Sequence, residues 1–515
     1  QSIEPLLSLI HWAYPAQTLA AAEAVASTPG LYPVIVTSFK CAPDSCAIEY
    51  VRRILDRRGK PYLVLQLDEH DSQVGYETRI EAALRTFRNH HASASESKRS
   101  PSPHRAVVQE PLYDLRDRVL LLPCWDRYAC TMMAASFRRE GVDARVLEED
   151  SLLITQALQH NSGQCIPLNV MVEGFVTYVK KHGLDPSRAA LWTHSSQMGC
   201  NIGAFPLVMQ SLLEERGEGF EHARVYVGQM TGKDISMRAI ANQVRVFVCA
   251  GNLRRMGCKI RPYELEPGQT DRLLEDSLVR LARAFETGET LLPVVEEVVS
   301  RFSAIRRRDE KRPKVAIFGD LYVRDNDVFN QGLIATLEAQ GAEVVTTPYM
   351  EYTKLIAAAY LRKWVREGKV AQAVQGRLML LAAQALERDL VRQFERVLGP
   401  EPRVSKMKME KVLAPYRVTV QHTGESFDNL LKIHHLMHVY PDIELFVQLS
   451  PAYCCPSLIT EAMAAQIRQR TGVPVVTITY DGTRVPKNGV VAPYLHFLRN
   501  GNHGTRLVGK PIRGS

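Results

Sequence analysis

This chain of 515 residues lacks the sequence features that mark a membrane or secreted protein. No run of about 18 apolar residues occurs, so no transmembrane helix is expected. The N-terminal stretch QSIEPLLSLIHWAYP has neither the basic region nor the cleavage site of a signal peptide. It also lacks an initiating Met, which indicates a truncated or processed start. We therefore expect a cytoplasmic protein with no membrane partner.

Nucleotide and nucleic-acid motifs are lacking as well. There is no GxxxxGK[ST] phosphate loop, and no GxGxxG follows a predicted strand, so nothing indicates that this chain binds ATP itself. The net charge of +8 is mildly basic, but the Lys and Arg residues are scattered beside acids. No basic stripe interleaved with aromatic residues is found, so nucleic acid is not an expected partner.

The chain does contain an alternation of apolar strands and helices. YPVIVTSF (32–39) and PYLVLQLDEH (61–70) have the β-branched and aromatic content of strands, and each precedes a helical segment. Such alternation implies parallel sheets, because each crossover helix returns the chain to the same end of the sheet. The predicted fold class is α/β, with several Rossmann-like domains (doubly wound parallel sheets) and a helical insertion.

The length predicts about two to four domains. We expect a first α/β segment at 1–110, which ends in a flexible Ser- and Pro-rich linker at 88–110. A second α/β domain is predicted at 111–312. A third is predicted at 313–515, with the helical insertion at 351–412, which is rich in Ala, Leu, Arg and Gln.

Ten cysteines are the most informative feature of the composition. In an apparently cytosolic chain they are more often metal ligands or catalytic groups than disulfide partners. No CxxC pair of the kind typical of zinc sites occurs. Six cysteines follow an apolar strand or a Gly turn and precede a helix: Cys41, Cys124, Cys165, Cys200, Cys454 and Cys455. Soft thiolates grouped in loops favour an iron–sulfur cluster over six unrelated buried side chains.

The stretch SPAYCCPS (450–457) is central to this interpretation. It follows the apolar run at 443–449, and Pro456 suits the first turn of the next helix. Cys454 and Cys455 are therefore predicted at a strand end, close to a helix N-terminus whose partial positive charge lowers a thiol pKa.

Other candidate residues are assigned structural roles. HHLMH places His434 and His438 one turn apart, but a third zinc ligand is not evident, so a helix surface is favoured. The acids of GDLYVRDND (319–327) are better explained by helix capping and a solvated turn than by Mg²⁺. Four cysteines are predicted to be structural: Cys46, Cys130, Cys249 and Cys258.

Eight segments together resemble the 2-hydroxyacyl-CoA dehydratase superfamily. The resemblance is greatest to its double-cubane cluster proteins and to the dehydratase-like C-terminal half of large fused acyl-CoA dehydratase activases. The segments are SFKCAPDS (38–45), YLVLQLDEH (62–70), NSGQCIP (161–167), MGCNIGAFP (198–206), IRPYELEPG (260–268), GDLYVRDND (319–327), LSPAYCCPSLITEAM (449–463) and TGVPVVTITYDGT (471–483).

The resemblance implies Rossmann-like domains and an iron–sulfur cofactor. That cofactor is a double-cubane [8Fe–9S] cluster held by six cysteines, or a [4Fe–4S] cluster held by three. It places the ligands at Cys41, Cys124, Cys165, Cys200, Cys454 and Cys455. The patterns at Cys124 (LPCWDRY) and Cys200 (MGCNIG) depart from the family, and Cys46 and Cys130 are the nearest substitutes.

The resemblance also implies a partner and a function. An activator ATPase with its own [4Fe–4S] cluster, on a separate chain or in a missing N-terminal region, would deliver low-potential electrons. The expected function is an ATP-dependent, oxygen-sensitive iron–sulfur oxidoreductase, a homodimer that reduces a small substrate. The alternatives are a 2-hydroxyacyl-CoA dehydratase with one [4Fe–4S] cluster, and a cluster-free scaffold that docks the activator.

Overall fold

The fold is α/β, as the sequence predicts, with three separate parallel sheets. The computed structural model describes residues 7, 10, 12–38, 42–67, 72–94, 115, 117–160, 165–194, 200–228, 236–400, 408–420 and 425–500. The strands are β1 (Val34–Ser38), β2 (Leu63–Leu67), β3 (Val119–Leu122), β4 (Asp143–Val146), β5 (Ala189–Thr193), β6 (Arg224–Val227), β7 (Lys314–Gly319), β8 (Glu343–Val345), β9 (Ile443–Pro451) and β10 (Val475–Tyr480).

Helices connect and cover these strands. They are α1 (Ala13–Ser27), α2 (Ala42–Arg57), α3 (Gln73–Ala94), α4 (Arg127–Arg139), α5 (Ser151–His160), α6 (Ile166–Lys181), α7 (Phe205–Arg216), α8 (Met237–Ile260), α9 (Gln269–Thr287), α10 (Leu291–Ser303), α11 (Leu321–Asp325), α12 (Leu333–Ala339), α13 (Tyr349–Arg366), α14 (Val370–Leu398), α15 (Met409–Leu413), α16 (Glu425–Val439), α17 (Cys455–Ala462), α18 (Ala464–Thr471) and α19 (Ala492–Asn500).

Two of the sheets have the same strand order. The first runs β4-β3-β5-β6, and the second runs β10-β9-β7-β8. When the strands of each sheet are numbered in chain order, both sheets have the order 2-1-3-4. The third strand therefore lies beside the first in each. The direction of winding therefore changes between β3 and β5 in one sheet and between β7 and β9 in the other. Open parallel sheets bind ligands outside the carboxyl ends of the strands at such a switch point. The fold thus provides two candidate positions for a site.

Alternating side chains bury both faces of these sheets. In the first sheet Leu121 and Leu191 belong to one apolar core, whereas Leu120 and Ala190 belong to another. Successive side chains of a strand point to opposite faces, so the uninterrupted apolar run of β3 suits a strand covered on both sides. Helices α4, α8, α9 and α10 supply the second of these cores.

The first of these cores is shared between the sheets. It contains Leu121 of β3 together with Val315 and Ile317 of β7, and it also includes Leu19 of α1 and Ile54 of α2. The opposite face of the second four-stranded sheet packs into a separate core with α16. One continuous core therefore joins the N-terminal segment and both four-stranded sheets.

The helical insertion lies between β8 and β9, where the sequence places it, and consists of α13, α14 and α15.

The flexible linker predicted at 88–110 is wrong at its start, because α3 continues as far as Ala94. This extension is held by Tyr32, which stacks on Phe87 and hydrogen-bonds His90 at 2.9 Å. The rest of the predicted linker, from residue 95, lies largely outside the described residues.

No helix in the described part of the chain combines the length and the apolar character needed to cross a bilayer.

Candidate metal centre

The loop after β9 carries the adjacent thiols Cys454 and Cys455. Ala452 N–H donates to the Tyr480 carbonyl at 2.9 Å, and Cys454 N–H donates to the Pro451 carbonyl at 3.3 Å. Tyr453 between them has φ of +65°, a left-handed conformation that reverses the chain. Cys454 then caps α17, with Cys455 as its first residue. The strand–turn–helix geometry predicted for these two half-buried cysteines is confirmed.

The loop after β3 carries Cys124, at the switch point of the first sheet. Asn326 lies at the end of α11, the helix that follows β7 of the second four-stranded sheet. Its side chain donates to the Cys124 carbonyl at 3.0 Å and to Glu149 Oε2 at 2.6 Å. The Tyr322 hydroxyl donates to the other oxygen of Glu149. The carboxyl edges of the two sheets are therefore joined by side-chain hydrogen bonds at this cysteine.

A second thiol, that of Cys130 on α4, lies beside Cys124. Cys130 Sγ donates to the Pro123 carbonyl at 3.2 Å and is completely buried. Burial, followed by the hydrogen bond with Cys124, raises the pKa of Cys130 well above the usual thiol range. The two thiols are thus in direct contact, which the sequence indicated only by naming Cys130 as a substitute ligand.

Cys165 and Cys200 each precede a helical segment that follows a strand of the first sheet. Cys165 caps α6, and Cys200 caps a short 3-10 helix that leads into α7. Burial raises the pKa of the Cys165 thiol, and the nearby charges of Asp320, Cys200 and Cys46 raise it further. Desolvation therefore outweighs at Cys165 any pKa lowering by the N-terminus of α6.

The structure thus places the predicted ligands in three groups. Cys124 lies with Cys130, Cys165 lies near Cys200 and Cys46, and Cys454 lies beside Cys455. Cys41 lies outside the described residues. Within the part of the chain that the structure describes, no three His, Cys, Asp or Glu side chains are arranged to hold one metal ion. The donors fit iron in their chemistry and their place at the sheet edges, but the described thiols do not converge on one point.

The remaining cysteines are inert core residues. Cys249 and Cys258 lie within α8 and are completely buried, and burial raises the pKa of each to about 12. Both thiols lie inside a helix, packed into apolar cores, and not at the end of a strand as the predicted ligands do. Their predicted structural role agrees with this environment.

A buried ion-pair network lies beside the Cys124 loop. Arg254 on α8 contacts Asp126, the cap of α4, at 3.2 Å, and donates to the Asp325 carbonyl at 3.0 Å. Arg324 donates to the Asp325 carboxylate at 3.1 Å. Burial raises the pKa of Asp126, and Arg254 partly offsets this. These charges connect the loops at the edges of both sheets.

The acids of residues 319–327 act largely as predicted. Asp320 caps α11, accepting from the N–H groups of Tyr322 and Val323 at 3.0 and 2.9 Å. Asp325 and Asp327, however, face Arg254, and Asp325 is only 4 % exposed. The expected solvated turn is therefore wrong for Asp325, because the second sheet packs against α8 at this point.

A second buried polar group lies between α13 and α16, and sequence reasoning missed it. Asp428, Lys432 and His435 on α16 are each fully buried. The Tyr352 hydroxyl donates to Asp428 at 2.6 Å, and His435 Nε2 lies 2.8 Å from Glu351. The signal available in the sequence was the spacing of these three residues at i, i+4 and i+7, which places them on one helix face.

The histidine pair His434 and His438 stays a structural feature. His434 Nε2 lies 2.9 Å from the Tyr416 hydroxyl. Burial lowers the pKa of His434 to about 4, so this imidazole is neutral at pH 7. The hydrogen bond to Tyr416 explains the residue without a metal.

Comparison with models of known protein families finds no match to this chain. Comparison with curated proteins finds none either.

Proposed function

We propose that this chain is an iron–sulfur reductase component related to the 2-hydroxyacyl-CoA dehydratase superfamily. In this proposal an activator ATPase delivers low-potential electrons, and the chain passes them to a small substrate. The observation that supports it is the set of half-buried thiols at the adjoining carboxyl edges of two identically ordered sheets. Parallel sheets bind ligands at these edges, and soft thiolates select iron–sulfur clusters.

In this proposal the cluster ligands are the six predicted cysteines, of which those in the described part of the chain form no group of three: Cys41, Cys124, Cys165, Cys200, Cys454 and Cys455. An iron–sulfur cluster, when bound, accepts and donates single electrons at a potential that its surroundings set. The stacked rings of Trp125 and Trp192, 4.7 Å apart, lie beside Cys124.

The protonation state of Cys165 predicts a measurable effect of pH on iron binding. Burial raises the pKa of this thiol, so the metal-free chain holds the proton at neutral pH. Ligation requires the thiolate, and the proton must therefore leave to solvent when iron binds. Iron loading is expected to release protons and to be favoured at higher pH.

A second candidate is a dehydratase with one four-iron cluster. Two observations favour it: Cys165 lies near both Cys200 and Cys46, and an open cleft of about 580 Å³ lies between α5 and the loop after β10. Thr483 and the exposed Arg484 line this cleft, and a cationic side chain suits the phosphates of an acyl-CoA.

The deciding experiment is the content of iron and acid-labile sulfide in anaerobically purified protein, together with its absorption spectrum. About eight iron and nine sulfide per chain would support the double-cubane reductase. About four iron would favour the dehydratase. A chain that holds no iron after anaerobic reconstitution would overturn both and leave the scaffold that docks the activator.

A further inference from the structure

Cys124 and Cys130 are free thiols that meet between the end of β3 and the first turn of α4. A hydrogen bond joins their two side chains. Cys130 Sγ also donates to the Pro123 carbonyl at 3.2 Å, so it is held against the residue that precedes Cys124. A disulfide requires two cysteines whose side chains face each other at short range, and this pair meets that requirement.

The backbone on both sides of the pair is held in place. Asp126 caps α4 by accepting two backbone hydrogen bonds from its first turn, and the Cys130 N–H donates to the Asp126 carbonyl at 2.8 Å. On the other side, Asn326 donates to the Cys124 carbonyl at 3.0 Å. These bonds keep the two cysteines together, so a covalent bond between them requires little backbone movement.

The two thiols differ in their access to solvent. Cys124 is half-buried, whereas Cys130 is completely buried. Exchange between thiols and disulfides proceeds through a mixed disulfide with the thiol that the reagent can reach. A reagent in solution therefore meets Cys124 first. Cys130 then lies in contact with the sulfur that has reacted, which is the place of a resolving cysteine.

We propose that Cys124 and Cys130 form a redox-active dithiol that closes into an intrachain disulfide on reaction with a small disulfide such as oxidised glutathione. Cys124 Sγ bonds to one glutathione sulfur, the sulfur–sulfur bond of the reagent breaks, and the other half leaves as a thiol with the Cys124 proton. Cys130 Sγ then bonds to Cys124 Sγ, and the second glutathione leaves as a thiol with the Cys130 proton. Two electrons thus pass from the two cysteines, which are oxidised, to the reagent, which is reduced.

This inference does not rest on the proposed function, because it involves no metal. The two proposals meet at Cys124, since metals bind the thiolate and a disulfide removes it. An excess of a small thiol reverses both exchange steps and returns both cysteines. The disulfide is therefore a reversible block of one predicted ligand, at the switch point of the first sheet.

Peptide mapping tests the pair directly, because trypsin cleaves after Arg118, Arg127 and Arg138 and so separates the two thiols. The full chain, freed of metal with a chelator, is incubated with oxidised glutathione, and its remaining thiols are alkylated. Peptide 119–127 should then be found joined to peptide 128–138, two hydrogens lighter than their sum. Alkylation of the two cysteines should be lost in parallel, and dithiothreitol should restore it.

Two variants separate the role of Cys130 from general oxidation. Cys130→Ala should hold glutathione on Cys124 as a stable mixed disulfide, because the resolving thiol is missing. Cys249→Ala is the matched control, since it removes another completely buried thiol from a helix, and it should give the same joined peptides as the wild-type chain. If Cys130→Ala does not fold, the wild-type peptide map decides by itself.

Three results for the wild-type chain overturn this inference: glutathione that stays on Cys124 while Cys130 is still alkylated, a disulfide from Cys124 to a different cysteine, or no reaction of Cys124 at all. The proposed function is decided separately, by the iron and sulfide content of the anaerobically purified chain. Either proposal can therefore fail without the other.

Discussion

The two four-stranded sheets share one strand order but carry different chemistry at their switch points. At the first, Cys124 follows β3, and Trp125 and Trp192 stack beside it. At the second, Asp320 follows β7, and Cys454 ends the loop after β9. The comparison teaches that topology fixes where a site lies, whereas the loop residues decide what it binds.

The sheets differ in their backbone requirements as well. β7 ends at Gly319, which has φ of +123° and lies so close to β9 that a Cβ atom would overlap the Leu449 carbonyl oxygen. At the corresponding place β3 ends at Leu122, an ordinary strand residue. The second switch point therefore brings the first and third strands closer together than a side chain allows.

The largest expected effect is a loss of bound iron, which should distinguish thiols at the sheet edges from thiols in the core. Cys454→Ala should lose most of the iron of the purified chain while its circular dichroism stays unchanged, because the separate sheets do not depend on this thiol. Cys249→Ala in α8 is the matched control and should retain the iron. Full iron retention in Cys454→Ala would remove the second sheet edge from the ligand assignment.

The next largest expected effect is a loss of stability when the buried charges that connect the edges of the two sheets are disrupted. Arg254→Met should lower the free energy of unfolding by about 3–5 kcal/mol, because it leaves Asp126 buried without its cation. Arg127→Ala on the neighbouring helix breaks an exposed pair with Glu275 and should cost about 0–1 kcal/mol. Urea unfolding of both variants measures the difference, and equal midpoints would show that the buried network does not stabilise the sheet contact.

Gly319→Ala tests the close approach of β7 and β9. The added methyl group overlaps backbone that cannot move aside cheaply, so a loss of about 3 kcal/mol is expected from overpacking and the positive φ. Gly332→Ala also has a positive φ, of +66° in the ordinary left-handed region, but open space around its Cβ, and should cost only about 1 kcal/mol. Comparable thermal midpoints for the two variants would contradict the steric argument.

Much of the architecture could be predicted from the sequence, because local patterns determine it. Apolar runs such as VLLL, followed by helices, indicate parallel strands wherever they occur. The positions of Cys454 and Cys455 at a strand end follow from the same pattern and from Pro456. The start of the linker was mispredicted because Tyr32, far away in sequence, stabilises the end of α3.

The charged interior could not be predicted in the same way. Asp325 and Arg254 are far apart in sequence, and only the packing of α8 against the second sheet buries them together. Asp428 and Lys432 have the spacing of an ordinary surface salt bridge on a helix. Their burial depends on α13, which belongs to an insertion whose position relative to α16 no local pattern encodes.

The smallest expected effect is on the pH dependence of stability, to which Asp428 and Asp481 should contribute with opposite signs. Burial raises the pKa of Asp428 to about 7, above its value of about 3.9 in an unfolded chain, so the native state binds the extra proton between these values. Stability should therefore fall as pH rises, by about 2 kcal/mol between pH 5 and 7, and Asp428→Asn should abolish this slope.

Asp481 provides the comparison of sign. Burial acts to raise its pKa, but hydrogen bonds from Lys487 and Thr483 lower it overall. Its contribution to stability is therefore present above the unfolded pKa and is lost as pH falls through the acid range. Urea titrations of Asp428→Asn and Asp481→Asn at several pH values distinguish the two cases. A wild-type stability that does not fall from pH 5 to 7 relative to Asp428→Asn would show that Asp428 is ionised in the folded chain, and would leave Tyr352 and Lys432 as a purely structural pair around a carboxylate.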